Sequence, residues 1–194
     1  RYVYQLIEPP LSDKMKDVYK KVKEMLEQKL DIDFSKLKKI EAKEFLSKQI
    51  DSVLSLFNLV LNETDKKILK YYMERDFTGL SLIEPLLRDP NIEDISCDGV
   101  AIPLFIFHRD QLIGSVSTNI MFDNSEELDS FIIRLAQLCE KSISVSQPLL
   151  DGTLSDGSRV QATLGTDIAR KGSNFTIRKF TEEPLTPVHL LNYE

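Results

Sequence analysis

Residues 148–187 read PLLDGTLSDGSRVQATLGTDIARKGSNFTIRKFTEEPLTP, and two strand-like runs within them decide the second half of the fold. In SRVQATL, Val160, Ala162 and Leu164 share one face, while Arg159, Gln161 and Thr163 share the other. In FTIRKF, Phe175 and Ile177 face one way and Thr176 and Arg178 the other. Each run carries one arginine on its polar face. A polar loop with Arg170 and Lys171 joins them. If the two runs pair, the charges converge. Asp151-Gly152 and Asp156-Gly157 read as turns, the commonest meaning of Asp-Gly. Paired acids at that spacing would also suit a cation or acid–base work.

Working outward, IEDIS (92–96), PLFIFHR (103–109) and LIGSVST (112–118) read as three further short strands between turn residues. Ser125 is expected to cap a helix whose inner face is Leu128, Phe131, Ile132, Leu135 and Leu138. The first ninety residues are mainly helical. After a short strand at Tyr2–Ile7, ended by Pro9 and Pro10, Ser12 caps a helix with Met15, Val18, Tyr19, Val22, Met25 and Leu26 on one face. A connector follows at Asp31–Leu37. A second helix spans about Glu41–Leu56, and a third begins near Thr64 and ends at Phe77, with Gly79 as its C-terminal cap. Ser81 and Glu84 form an S-x-x-E capping box for a short helix stopped by Asp89-Pro90. The fold class is therefore α+β: an N-terminal helical subdomain, 1–80, followed by a mostly antiparallel sheet with helices packed on one face, 85–185. The apolar stripes read as core; a partner-binding groove is the alternative.

Composition narrows the function. The chain has 194 residues, 42% of them hydrophobic, which is enough for a packed core. Net charge is −6, which excludes a surface that is wholly a nucleic-acid footprint. Residues 1–70 carry 15 Lys/Arg against 12 Asp/Glu, and residues 71–150 carry 5 against 13. That step points to two units with different surfaces. The lysines on the early helices allow contact with anionic lipid or an acidic partner, or are ordinary solvated faces. Cys97 and Cys139 stand far apart, and no CxxC accompanies His108 and His189. A zinc site or disulfide framework is not expected, and low cysteine use fits a reducing cytoplasm. No apolar run reaches the roughly 18–20 residues that cross a bilayer.

The chemistry-bearing motifs are few. None of the seven glycines opens a G-x-x-x-x-G-K-[ST] loop. Neither histidine sits in a nucleophile–base setting. The arginines remain: a cluster of guanidinium forks suits phosphate oxygens, since each fork donates two parallel hydrogen bonds. Spacing by itself leaves two readings, a phosphate site and a solvated sheet face.

DPNIEDISCDG (89–99), PLFIFHR, LDSFIIRLAQLCEKSISVSQPLLDG (128–152), SDGSRVQAT, FTIRKF and PLTPVHLL (184–191), in this order, resemble the hexameric ATPases that power type II secretion, type IV pili and archaeal flagella. The nearest likeness is to the archaeal GspE-like branch. YQLIEPPLS (4–12) is a weaker echo. The resemblance covers roughly residues 85–191. It implies an N-terminal domain, a linker and a RecA-like motor domain carrying the Walker motifs, with ATP and Mg held by the motor domain and six subunits in a ring. It implies that Arg159 and Arg178, with Arg170 as a less specific match, reach the nucleotide phosphates like arginine fingers. On the same ground the chain is expected to be an isolated N-terminal region, with 186–194 opening the linker, no nucleotide turnover of its own and no cofactor held by the fragment alone. Its expected partners are its own motor domain, neighbouring subunits and an inner-membrane platform protein, at the cytoplasmic face of the membrane. Nucleic acid is not among them. Secretion, pilus and archaellum machines are not distinguished. The alternative is a stand-alone interaction module of the same fold that binds an acidic or membrane-platform partner without nucleotide.

Overall fold

A computed structural model describes residues 2–29, 39–110, 112–165 and 169–180. The expected connector at 31–37, His189 and the expected linker at 186–194 lie outside the described residues. The chain divides into two compact units, one from Ile7 to Arg88 and one formed by the residues up to Leu6 together with those from Asp89 onward.

The first unit is helical: α1 (Asp13–Lys29), α2 (Lys39–Leu56) and α3 (Glu63–Phe77), then a single 3-10 turn at Ser81–Ile83 and the short α4 (Glu84–Arg88). The apolar stripes meet in one core. Met15, Val18, Val22 and Leu26 of α1 pack with Leu46, Ile50, Val53 and Leu54 of α2 and with Leu69 and Met73 of α3. Each stripe runs in steps of three and four, so burying it covers one side of its helix and leaves the lysines in water. Ser12 Oγ accepts from Met15 N at 3.3 Å, the expected N-cap. Two expectations need correction. Gly79 is not a left-handed cap; Thr78 is the C-cap. A Cβ on Gly79 would lie 2.8 Å from the Arg75 carbonyl oxygen and 2.7 Å from Glu84 Cδ, so the position demands closeness rather than a special φ. Two residues further on, Ser81 has a positive φ of 49°. The Ser81/Glu84 capping box is replaced by other contacts: Glu84 Oε2 accepts from Leu80 N (2.9 Å), and the Ser81 hydroxyl donates to Asp76 Oδ1 (3.3 Å).

A buried polar network fastens the segment before α1 to α3. Arg75, 8% exposed, donates from Nη1 to both Glu8 oxygens (2.8 and 2.9 Å) and from Nε to Asp76 Oδ1 (2.9 Å). Its guanidinium lies 4.8 Å from the Tyr72 ring centroid. The Tyr19 hydroxyl donates to Asp76 Oδ2, and Lys23 stands 3.4 Å from the same oxygen. The Tyr71 and Tyr72 hydroxyls donate to Glu8 Oε1 (2.9 Å) and the Pro9 carbonyl (2.6 Å). Burial pushes the Asp76 carboxyl up, but Arg75, Tyr19 and Lys23 outweigh it and hold the group below the usual carboxylate range. Burial also raises Asp51, and there Lys66 and Lys70 outweigh it.

The second unit is a seven-stranded sheet in the order β1-β4-β3-β2-β7-β6-β5. Its strands are β1 (Val3–Tyr4), β2 (Ile92–Cys97), β3 (Phe105–His108), β4 (Ser115–Thr118), β5 (Leu149–Thr153), β6 (Arg159–Thr163) and β7 (Asn174–Arg178). All pairings are antiparallel except β1 with β4. β1 therefore belongs to the sheet although it opens the chain. Asn119 holds it there, accepting from Leu6 N (2.8 Å) and donating to the Leu6 carbonyl (3.0 Å). Helix α5 (Ser125–Leu138) covers one face with Leu128, Phe131, Ile132, Leu135 and Ala136. Phe122, Phe131 and Phe175 meet with ring centroids 5.1–6.1 Å apart beneath it. The α5 cap is Asn124, which accepts from Glu127 N (2.8 Å), one residue before the expected Ser125. The charge step near residue 70 falls inside α3, so it does not coincide with the division at Arg88/Asp89.

β5 overturns a sequence expectation. Asp151-Gly152 is not a turn but the middle of a strand, paired with Gln161 and Val160. Gly152 is needed because a Cβ there would lie 2.7 Å from Cys139 Cβ and 2.8 Å from its Sγ, at the end of α5. Asp156-Gly157 is a turn, as expected: Asp156 accepts from Ser158 N (2.9 Å) and Ser158 Oγ (3.0 Å), and Gly157 has φ 87°.

Two stability predictions follow from these contacts. Gly152→Ala should cost about 1–3 kcal/mol in urea unfolding, because overpacking against Cys139 forces strand and helix apart; an unchanged midpoint would contradict that close approach. For the helical unit, carboxylates held low contribute stability that is present above their unfolded pKa and lost as pH falls through the folded one. Far-UV melts should therefore fall away below about pH 4, and Asp76→Asn should flatten that acid limb. An acid limb of equal depth in both proteins would exclude Asp76 as its source.

Candidate functional site

The site rests on how β7 is paired. Arg159, the first residue of β6, lies directly opposite Arg178, the last residue of β7. On the other side of β7, Arg178 lies directly opposite Asp94 of β2. Side chains opposite one another in an antiparallel pair stand about 4.5–5.5 Å apart at Cβ. The three charges therefore form one row across three strands. Their neighbours on each strand, Val160, Ile177 and Ile95, point to the α5 side and are buried. The charged row occupies the opposite face, together with exposed Thr153, Gln161 and Thr176. Beyond Asp94 the row continues to Phe107 on β3, 40% exposed.

Asp94 reaches that face because β2 is irregular. Ile92 and Ile95 are both fully buried although three residues apart, which strict alternation does not allow. A register shift between Ile92 and Asp94 resolves this. The extra residue turns the strand, as a bulge does. Asp94 is thereby delivered to the arginine row.

The electrostatics of the row are asymmetric. Two guanidinium groups directly opposite repel one another. Among the described residues the recorded ion pair of this row is that of Arg178, whose Nε stands 3.3 Å from Asp94 Oδ1, with side-chain exposures of 66% and 30%. This is an ion contact without hydrogen-bond geometry. Asp94 Oδ1 is shielded from solvent and has no hydrogen-bond partner among the described residues. Chemically, the row offers two exposed forks to an oxyanion, with a carboxylate at one end.

Arg170 is not brought to this row. It lies in the exposed loop of the β6–β7 hairpin, at the end where Thr163 pairs with Asn174. Arg159 and Arg178 are at the opposite end, four residues or about 13 Å along the strand. His108 is half-buried at the end of β3, and its Nδ1 accepts from Asp110 N (3.0 Å), a turn contact. Among the described residues no group of three or more His, Cys, Asp or Glu is arranged to hold a metal ion. Both cysteines are buried and free; burial pushes each thiol up. A cleft of about 240 Å³ in the helical unit is lined by Tyr71, Glu74, Arg75, Glu84, Pro85 and Arg88. Its charges are already matched by Arg75–Glu8, Lys43–Glu74 and Arg88–Glu84 pairs. Among the described residues no helix is long and apolar enough to cross a membrane.

No protein-family model matches the chain. Three uncharacterized proteins of Methanocaldococcus jannaschii are similar to it. The first is 37% identical over 166 residues, 86% of this chain and 65% of the relative. The second is 37% identical over 131 residues, 68% of this chain and 23% of the relative. The third is 36% identical over 144 residues, 74% of this chain and 17% of the relative. The chain thus spans just under two thirds of one relative and about a fifth of the other two. Among solved structures, the VirB11 ATPase from the Brucella suis type IV secretion system, crystallised with sulphate, matches 57% of this chain and 33% of its own at 22% identity and a TM-score of 0.45. A likeness this distant carries no argument about ligand or assembly.

The like-charge contact is testable in the chain as it stands. Arg159→Thr should raise stability by a few tenths of a kcal/mol at low salt, since it removes the repulsion and places a good strand former there. The gain should shrink at 0.5 M salt as screening grows. A loss of stability on this substitution, independent of salt, would contradict repulsion between the two arginines.

Proposed function

We propose that this chain is the N-terminal region of a hexameric ATPase of the kind that drives protein secretion or assembles type IV pilus-like filaments. Arg159 and Arg178 together contact the phosphates of ATP held, with Mg, by the protein's motor domain. One observation carries this reading: the two arginines are exposed cross-strand neighbours on the face of the sheet opposite α5. The sequence strings that resemble this ATPase family include both of their strands. Two neighbouring forks can neutralise charge that accumulates on a transferring phosphoryl group. Contact with a γ-phosphate that is lost on hydrolysis would also tie the position of this region to nucleotide state.

Arg170, at the far end of the hairpin, takes a lesser part in this reading: it meets a different portion of the same neighbour or faces an adjoining subunit. The partners are the motor domain, neighbouring subunits of the ring and an inner-membrane platform protein, at the cytoplasmic face of the membrane. The exposed Phe107 in the same row favours a second reading, an interaction module whose open sheet face binds an acidic protein partner without nucleotide.

The experiment is ATP turnover by the full-length protein carrying Arg159→Ala or Arg178→Ala. Turnover should fall on the order of 10²-fold or more, the scale of a lost arginine finger. Folding should be nearly unaffected, since exposed polar-face substitutions rarely cost much stability. Wild-type turnover in both variants would reject the phosphate role and favour the interaction module.

A further inference from the structure

We infer that Asp94 is a built-in counter-ion for the arginine pair, a carboxylate that occupies Arg178 when no phosphate is present and that an incoming polyphosphate must displace. This rests on the phosphate-contact reading of Arg159 and Arg178. It adds to that reading a residue that regulates the same site.

The geometry has three parts. Arg178 is flanked on both sides in register, by Arg159 on β6 and by Asp94 on β2. The contact between Asp94 Oδ1 and Arg178 Nε, at 3.3 Å, lacks hydrogen-bond geometry, and that oxygen has no other hydrogen-bond partner among the described residues. The pair is thus a loose electrostatic contact, able to open without breaking a hydrogen bond. Finally, the Arg178 side chain is 66% exposed, so its fork can turn from Asp94 toward the Arg159 side without unpacking the sheet.

The consequence is selectivity by charge. With Asp94 ionised, the three-residue row carries a net charge of only +1, and a single phosphate gains little by approaching it. A ligand with several clustered negative charges can engage both forks and outweigh the carboxylate. The ligand class is therefore a polyphosphate chain, such as the tail of a nucleoside triphosphate. The carboxylate thus lowers the attraction for weakly charged competitors, and the site discriminates by the difference between the two affinities.

The test uses the 194-residue chain and inorganic tripolyphosphate, followed through the arginine side-chain Nε–Hε signals in NMR at low salt. Asp94→Asn keeps the side chain's shape and removes its charge. It should tighten tripolyphosphate binding up to about fivefold, the size of an exposed ion pair, and the difference should fade at 0.5 M salt. Asp94→Ser should behave alike, so that a folding defect in one variant does not decide the matter. Equal or weaker binding in both Asp94 variants, with signals of Arg159 and Arg178 still moving, would overturn the counter-ion role and leave the phosphate site standing. Absence of any shift at those two signals in every protein would overturn the phosphate reading itself, and the counter-ion role with it. In Arg178→Gln, Asp94→Asn should no longer change the affinity; a persistent change would show that Asp94 acts on the ligand and not through Arg178.

Discussion

The pairing of β7 on both of its edges is the constraint on which the sheet unit depends. β7 joins β6 and β5 on one side to β2, β3 and β4 on the other. Its inward residues, Phe175 and Ile177, are fully buried against α5, so its register cannot slip by one position without turning them into water. The same register puts Arg178 on the opposite face with Arg159 and Asp94 as its lateral neighbours. The core therefore fixes the charged row, although Arg159, Arg178 and Asp94 are not themselves core residues.

The helical unit has its own fixed point, at Arg75. Removing a partner from a buried charge pair leaves an uncompensated charge, which is why such networks are demanding. Here the demand is met: Glu8, Asp76 and the Tyr72 ring lie against the guanidinium, and Tyr19, Tyr71, Lys23 and Ser81 add contacts to the carboxylates. The network ties the Glu8–Pro9 segment to α3. It also accounts for the adjacent aromatic side chains, which shield the charges while supplying hydroxyl donors.

The two charge systems differ in setting. In the helical unit the Arg75–Asp76 pair is buried and its charges are answered. On the sheet face opposite α5, Arg159 and Arg178 are exposed cross-strand neighbours, and among the described residues an opposite charge is recorded beside Arg178. An arrangement that costs a little stability by itself gains a reason if an anion completes it. That contrast, rather than the number of arginines, is what singles out the sheet face as the candidate site.

The sequence by itself determined most of the elements. Steps of three and four fixed the faces of α1–α3 and α5, since a helix has one way to bury such a stripe. Alternation fixed which face of β6 and β7 each arginine occupies. Sequence could not tell that Asp151-Gly152 lies in a strand, because the reason is a cysteine on a helix that crosses above it. Nor could it say which arginines become neighbours, and so Arg170 stood beside Arg159 and Arg178 until the register separated them. Asp94 went unnoticed for the same reason: its neighbour in space is 84 residues away in the chain. The spacing of Ile92 and Ile95 held a trace of the irregularity that exposes it. Local periodicity is written in the chain because it depends on neighbours a few bonds apart. Which strands lie side by side is decided only when the cores are packed, and the charged row exists only at that level.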